Sequence, residues 1–243
     1  MKALLLNSGI GSRLGALTAS SPKCMCPIGA EYTILKRQLE LIRGAGIRDV
    51  VVTTGYLAEK LEAYARECEP GLNFTFVHNP VYRETNYIYS MHLAADALRD
   101  DDILLLHGDL VLQRGVIEDL LSAETSVMTV DRTLPLPEKD FKAKIIDGRI
   151  RAVGIHYFGE DCEACQAAYK WRAADFSAWM ANIAAFCEAG NRKVYAEEAF
   201  NAVSESLPLY PLEMNGRLCA EIDNPEDLAA VSARFLELLK EEA

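Results

Sequence analysis

The chain has 243 residues, 50% of them hydrophobic, and carries a formal net charge of −11 at pH 7. This length suits one large or two small domains with a sizeable core. The acidic balance argues against an extended nucleic-acid-binding surface, and no run approaches the ~20 apolar residues of a membrane span. The start does not resemble a secretory leader, and seven scattered cysteines favour reduced thiols, so we expect a cytoplasmic protein without membrane insertion.

Strands and helices alternate through the first half of the sequence. Apolar runs predict strands at 3–6, 49–53, 73–77, 103–107 and 126–130. Helical spacing of apolar residues predicts helices at 33–44, 57–67, 89–98 and 115–121. Because parallel strands are joined by crossover helices, this alternation predicts an α/β fold with a mostly parallel sheet covered on both faces.

The second half has a different pattern. Asp147-Gly148 predicts a hairpin of strands 142–146 and 149–155. The remaining predicted elements are a long helical region at 162–187, a helix at 195–204, and short strands at 209–214 and 217–222. A closing helix starts at Pro225, with Asn224 as its cap. Since no linker or repeat interrupts the chain, we expect a single domain over residues 1–243.

A glycine loop with its own cations follows the first predicted strand. Gly9 and Gly11 let backbone N–H groups approach a phosphate closely, while Arg13 suits bidentate contact with β- and γ-phosphate oxygens. Lys23, stiffened by Pro22, suits the α-phosphate. A dinucleotide fingerprint is excluded because the third glycine is out of register and no acid ends the second strand. No Walker motif is present, so the loop favours a nucleoside triphosphate and a reaction that expels pyrophosphate.

The spacing Gly9-x-Gly11-x-Arg13…Pro22-Lys23 resembles the signature of the nucleotidyltransferases that make sugar nucleotides and CDP-alcohols. Residues 79–94 are similar to a segment of the phosphocholine cytidylyltransferases and related phosphonate cytidylyltransferases. The resemblance implies a three-layer α/β/α Rossmann-like fold, with about 1–134 binding CTP and about 135–243 forming an acceptor-binding lid. It implies nucleotide contacts from Leu6, Asn7, Gly9, Gly11, Ser12, Asn79, Asn86 and Ser90. Where the family usually has Ala-Ala or Ala-Gly, this chain has Asn7-Ser8, and we expect this difference to change packing more than chemistry.

Three acids stand at the ends of two predicted strands. Asp109 follows strand 103–107, and Glu221 and Asp223 alternate on a late strand so that both face one side. Three converging carboxylates would repel one another unless a cation lies among them, and Mg²⁺ is the oxygen-preferring candidate. The resemblance also implies metal binding by Asp109 and Asp223, with Glu221 as a helper.

Aromatic residues of the second half are candidates for the acceptor pocket. Aromatic faces attract a quaternary ammonium through cation–π interaction, and nearby acids balance a positive group. We expect acceptor contacts from Tyr195, which the resemblance places near the cation, and from Tyr157, Trp171 and Glu198. Phosphocholine is the first choice. Aminoethylphosphonate or phosphoethanolamine and, third, a sugar 1-phosphate are the alternatives.

The implied reaction is attack by an acceptor phosphate or phosphonate oxygen on the α-phosphorus of CTP. Since this nucleophile is already anionic at pH 7, catalysis needs positioning and charge neutralisation rather than a general base. Arg13 and Lys23 are the expected catalytic residues. The alternatives are a nucleotide-binding sensor module without catalysis and a structural α/β interaction module. The sequence leaves a homodimer open, and His107, next to Gly108-Asp109, is interpreted as structural.

Overall fold

The computed structural model describes residues 1–29 and 31–242, which form seven α-helices, three short 3₁₀ helices and thirteen strands, nine of which make up one mixed sheet. The strands are β1 (Lys2–Asn7), β2 (Pro27–Gly29), β3 (Tyr32–Thr33), β4 (Asp49–Thr54), β5 (Asn73–His78), β6 (Ile103–His107), β7 (Leu110–Leu112), β8 (Val127–Asp131), β9 (Lys142–Ile146), β10 (Arg149–Gly154), β11 (Cys162–Trp171), β12 (Tyr210–Glu213) and β13 (Cys219–Glu221). The helices are α1 (Ile34–Gly44), α2 (Ala58–Cys68), α3 (Tyr87–Leu93), α4 (Arg114–Ser122), α5 (Ala173–Glu188), α6 (Ala196–Asn201) and α7 (Pro225–Glu241). Among the described residues, no helix has both the length and the apolar character needed to cross a membrane.

The first half of the chain supplies the parallel part of the sheet. Strands β5, β4, β1 and β6 lie side by side in this order, and each neighbouring pair is parallel. Leu4 of β1 pairs with Val51 on one side and Leu105 on the other. The predicted α/β class with a largely parallel sheet is therefore confirmed.

The two faces of β1 bury side chains in two different cores. Ala3 and Leu5 pack in a core with apolar residues of α1, α2 and α4. Leu4 and Leu6 pack in a second core with residues of α3, α5 and α6. Because successive strand residues point to opposite faces, the near-continuous apolar run of β1 is what a strand covered by helices on both sides requires.

The prediction of a long helical region at 162–187 is wrong for the first ten residues. Residues Cys162–Trp171 form β11, and helix α5 begins only at Ala173. Strand β11 lies inside the sheet, antiparallel to β6, β8 and β9. Its alanine-rich sequence favours a helix locally, but ladder pairing with three strands and burial override that preference.

A short antiparallel pairing brings the C-terminal part of the chain to the end of β6. Strand β13 pairs antiparallel with β7, so that Glu221 lies opposite Leu110. The backbone N–H of Ile222 donates to the carbonyl of Asp109 at 3.1 Å. Helix α7 then starts at Pro225 with Asn224 as its cap, as the sequence predicted. Asn224 also forms a reciprocal capping box with Asp227.

The C-terminal end of helix α7 contacts one buried cation. The Arg37 side chain of α1 is fully buried, and its guanidinium donates to both carboxylate oxygens of Glu242 at 3.0 and 2.9 Å. The same guanidinium lies over the ring of Phe235, 5.4 Å from its centroid. Removing the carboxylate would leave a buried charge without its anion.

We therefore expect Glu242→Ala to lower the free energy of unfolding by about 1.5–3 kcal/mol, since a hydrogen bond to a charged group is lost. Glu241→Ala, one residue earlier and exposed, is the matched control and should change it by less than about 0.5 kcal/mol. Urea denaturation of both variants measures the difference. Equal effects in the two variants would show that Arg37 does not depend on Glu242.

Candidate active site

A cleft of about 440 Å³ lies at the carboxyl ends of β1 and β6, beside the end of β13. Open α/β sheets bind ligands at this edge. The cleft is lined by most of the predicted nucleotide-binding and charged residues, namely Leu6, Asn7, Gly9, Gly11, Ser12, Arg13, Lys23, Asn86, Asp109, Glu221 and Asp223. The structure thus brings together residues from the start, middle and end of the chain.

Lys23 is at the centre of the charged groups. Its Nζ donates to Asp109 Oδ2 at 2.7 Å and to Asp223 Oδ1 at 2.6 Å. Arg13, which is largely exposed, contacts the other oxygen of Asp223 at 2.8 Å. Burial lowers the pKa of Lys23, but the two aspartates outweigh this effect and raise it above its ordinary value. Lys23 is therefore a fixed positive charge at neutral pH.

The same contacts act on Asp109. Burial alone would raise its pKa, whereas the charge of Lys23 and the neighbouring His107 lower it below the ordinary value. Asp109 is therefore ionised. Its Oδ1 is buried and has no hydrogen-bond partner, so one carboxylate oxygen remains available for a ligand.

The glycine loop packs directly on Lys23. Gly11 has a φ of +69°, and a Cβ added there would lie 2.8 Å from the Cβ of Lys23. A side chain at this position would be strained and would displace the lysine stem. Gly11 is thus required both for the turn and for the position of the cation.

The acids form two overlapping groups rather than one. The possible ligand atoms of His107, Asp109 and Glu221 lie within 4.8 Å of one another, and so do those of Asp140, Glu221 and Asp223. Glu221 belongs to both groups, while Asp109 and Asp223 are joined through Lys23. Asp140 did not stand out in the sequence, because it precedes β9 in a charged loop without a motif.

This donor set fits a divalent cation. Burial, followed by the charges of Asp109 and Asp223, raises the pKa of Glu221 well above its ordinary value. Burial and then Asp223 also raise the pKa of Asp140. Crowded carboxylates with an unpartnered Asp109 oxygen are the hard ligands that Mg²⁺ prefers.

A second cavity of about 170 Å³ adjoins the main cleft and has a mostly neutral, polar lining. The side-chain amide of Asn79 donates to Thr85 Oγ1 and Ser90 Oγ, both at 3.0 Å, and its oxygen accepts from the N–H of Val81. Asn79 and Ser90 thus line this cavity, but Asn79 also braces its wall. A Cβ on Gly55 would lie 2.8 Å from the Cβ of Tyr82, so glycine is needed for this close approach.

Asn7 and Ser8 place polar groups where the resembling family has small side chains. Both are more than nine-tenths buried, and Asn7 Nδ2 and Ser8 Oγ have no hydrogen-bond partner. Asn7 lines the main cleft, and Ser8 lines the second cavity. Buried polar groups without partners are costly, which makes both of them candidates for ligand contact. The sequence showed this departure from the family pattern, but it was expected to change packing more than chemistry.

One wall of the cleft is aromatic. The Tyr195 ring lies 5.9 Å from Tyr87 and 5.1 Å, edge to face, from Phe141. Behind this wall the carboxylate of Glu197, which is 2% exposed, accepts hydrogen bonds from the hydroxyls of Tyr87 and Tyr169. Burial, with the charge of Glu197, raises the pKa of Tyr87, so its hydroxyl stays a donor.

Three of the predicted acceptor residues do not lie on this wall. Trp171 is 0% exposed and packs on Trp179 in the core, because β11 runs through the middle of the sheet. This burial corrects the interpretation of Trp171 as an acceptor contact. Tyr157 packs against Gly154 outside the residues that line the cleft. Glu198 is exposed on the outer side of α6, whereas its neighbour Glu197, another of the nearby acids that could balance a positive group, faces inward.

The sequence matches the family described as the MobA-like NTP transferase domain over residues 3–136. The chain therefore belongs to this family of nucleotidyltransferases. Its relatives include cytidylyltransferases, as the resemblance of residues 79–94 predicted.

Two relatives and one solved structure illustrate the similarity. The CMP-5'-(3-aminopropyl)phosphonate synthase of Streptomyces rubellomurinus is 36% identical over 55% of this chain and 21% of its own length. The 2-aminoethylphosphonate cytidylyltransferase of Lancefieldella rimae is 24% identical over 98% of this chain and 94% of its own. The chain spans about half or less of the other relatives that it matches at 30% identity or more.

The fold is shared with the solved structure of the CTP:phosphocholine cytidylyltransferase from Streptococcus pneumoniae. The TM-score is 0.75 at 20% identity, and the superposition covers 96% of this chain and 98% of that one. The three-layer, Rossmann-like nucleotidyltransferase fold implied by the sequence motif is thereby confirmed.

The raised pKa of Glu221 gives a stability prediction. A carboxyl group that ionises less readily when folded destabilises the folded state as the pH rises from its ordinary pKa of 4.5 towards the raised value. Without divalent ions, Glu221→Gln should therefore have a higher Tm than the wild type at pH 8. Addition of Mg²⁺ should raise the wild-type Tm but not that of Glu221→Gln.

The exposed Glu237→Gln on α7 is the control for this experiment and should match the wild type with and without Mg²⁺. Thermal unfolding in a chelator, and then with added Mg²⁺, measures both effects. A lower Tm for Glu221→Gln at pH 8 in the chelator would contradict the assigned charge crowding.

Proposed function

We propose that the protein is a CTP-dependent cytidylyltransferase that transfers CMP to a small phosphorylated or phosphonate amino alcohol and releases pyrophosphate. The observation that carries the proposal is the meeting of Lys23 and Arg13 with Asp109 and Asp223 beside the glycine loop. Two basic side chains beside the glycine loop of a chain with net negative charge suit a triphosphate. Family membership and the cytidylyltransferases among the relatives support the choice of nucleotide.

In the proposed reaction an acceptor oxyanion forms a bond to the α-phosphorus of CTP, and the bond to the β-phosphate oxygen breaks. Lys23 neutralises the α-phosphoryl oxygens, because its ammonium is fixed beside the carboxyl end of β6. Arg13, exposed at the rim, holds the departing pyrophosphate. No proton has to be removed from the nucleophile, so the contribution of the chain is positioning and charge neutralisation.

Asp109, Glu221 and Asp223 are the residues that would hold Mg²⁺, with Asp140 as a further carboxylate of the same cluster. The ion would supply positive charge to the phosphates of the nucleotide and the acceptor. Asn7 Nδ2, buried and unpartnered in the cleft, is a donor for a phosphate oxygen. The neutral second cavity, with Ser8, Asn79 and Ser90, suits an uncharged nucleobase.

The aromatic wall suits a cationic acceptor. Glu197 is a buried acid whose two oxygens accept only from tyrosine hydroxyls, and no ion pair joins it to a basic side chain within residues 1–29 and 31–242. A buried negative charge without a cation favours a positive ligand nearby. Tyr87, Phe141 and Tyr195 provide the aromatic faces that attract it.

Phosphocholine is the first candidate acceptor, because both Glu197 oxygens are already engaged and the wall consists mainly of aromatic rings. A quaternary ammonium needs only the faces, whereas a primary ammonium needs three acceptors. Aminoethylphosphonate is the second candidate, since the similarity to the Lancefieldella rimae enzyme extends over almost the whole chain.

Pyrophosphate release with four nucleoside triphosphates and four acceptors tests the proposal. We expect turnover with CTP and phosphocholine, with aminoethylphosphonate and phosphoethanolamine slower and glucose 1-phosphate inactive. Absence of pyrophosphate with every pair, together with a CTP-induced thermal shift, would favour a nucleotide sensor instead. Absence of both would contradict any nucleotide-binding role.

Replacing Lys23 should be the most damaging single substitution of the loop. We expect Lys23→Ala to lower kcat by about 10²–10³-fold, the usual cost of removing one preorganised charge contact. Lys240→Ala, on the exposed side of α7, is the matched control and should retain wild-type turnover. Steady-state kinetics of the two variants decide the point, and undiminished kcat in Lys23→Ala would refute the role of the lysine.

A further inference from the structure

His107 occupies the boundary between the two cavities. It is the last residue of β6 and lines both the main cleft and the neutral second cavity. It stands two residues before Asp109 and was interpreted from the sequence as structural. Its surroundings indicate a role beyond packing.

The imidazole lies between the acids and the aromatic wall. On one side, a ring nitrogen lies within 4.8 Å of carboxylate oxygens of Asp109 and Glu221. On the other side, the ring meets Tyr87 edge to face, with centroids 4.7 Å apart, and Phe141 at 6.5 Å. The ring therefore separates the place where phosphates are expected from the place where a cation is expected.

One ring nitrogen has no partner. His107 Nε2 is buried, and no group among residues 1–29 and 31–242 forms a hydrogen bond with it. The backbone, in contrast, is fixed, because the His107 carbonyl accepts from Gln38 Nε2 at 2.8 Å and the residue pairs with Leu6 of β1. A polar atom that is buried, unpartnered and held on a rigid strand is preorganised for a ligand.

We propose that His107 is the residue that orients the acceptor, through a ring N–H that donates to a non-reacting oxygen of its phosphate or phosphonate group. This inference rests on the proposed function and deepens it. An acceptor whose ammonium lies on the Tyr87–Tyr195 wall extends its phosphorus group past the imidazole towards Asp109. The hydrogen bond then directs a second oxygen of that group at the nucleotide.

Two other roles for His107 predict different behaviour. A ring that only packs against Tyr87 would affect stability but not the kinetics of one substrate. A metal ligand would affect binding of the nucleotide with its ion, although the surrounding carboxylates favour Mg²⁺, and imidazole suits softer metals. An acceptor-orienting residue affects the acceptor alone.

Two substitutions separate these roles. His107→Phe keeps the ring and its contact with Tyr87 but removes both nitrogens, whereas His107→Gln keeps an N–H donor at a similar reach on a flexible side chain. We expect His107→Phe to lower kcat/KM for the acceptor by about 10–100-fold, since a hydrogen bond to a charged group is lost. His107→Gln should recover part of this loss. KM for CTP and the Tm should stay close to wild type.

The exposed His156→Phe, outside the cleft lining, is the control and should show wild-type kinetics. Unchanged acceptor kinetics in His107→Phe, or an equal loss for CTP and acceptor, would overturn the role of His107 while leaving the proposed function intact. A wild-type protein that releases no pyrophosphate with any acceptor would instead overturn the proposed function, and this inference with it. If His107→Phe does not fold, wild-type acceptor kinetics in His107→Leu, which also lacks a donor, would have the same force against it.

Discussion

The ammonium group of Lys23 joins two carboxylates that lie 86 and 200 residues further along the chain. Its partner Asp109 follows β6, and Asp223 follows β13, which reaches the cleft only because it pairs with β7. Lys23 itself is positioned by Pro22 and by the absence of a side chain on Gly11. Three separate parts of the fold are therefore needed to place one charged cluster, and the rest of the candidate site is arranged around it.

The charge balance of this cluster is consistent with the proposal that an acidic protein accepts a triphosphate here. Among the described residues, four acids and three basic side chains line one cleft, and burial together with neighbouring carboxylates raises the pKa of Glu221 and of Asp140. Lys23 lowers the pKa of Asp109 and keeps it ionised. A divalent ion would act on Glu221 in the same way. The site is thus matched to a ligand that brings both anionic phosphates and a metal.

The sequence was sufficient to predict the parallel half of the sheet, because its strands are buried runs separated by amphipathic helices. It was also sufficient for the glycine loop, where motif and geometry coincide. It failed for β11, since alanine-rich residues become a strand only through pairing with β6, β8 and β9. That error also misplaced Trp171, which the strand carries into the core. Asp140 could not be found, and Glu197 could not be preferred over Glu198, because their positions depend on contacts with residues distant in sequence.

A crystal structure with Mg²⁺ and a non-hydrolysable CTP analogue tests the central claim most directly. The account predicts that Lys23 Nζ will lie within hydrogen-bond distance of an α-phosphate oxygen, while Asp109 and Asp223 share the metal ion in place of the lysine. A complex in which Lys23 keeps both aspartates, with the triphosphate bound elsewhere, would contradict it.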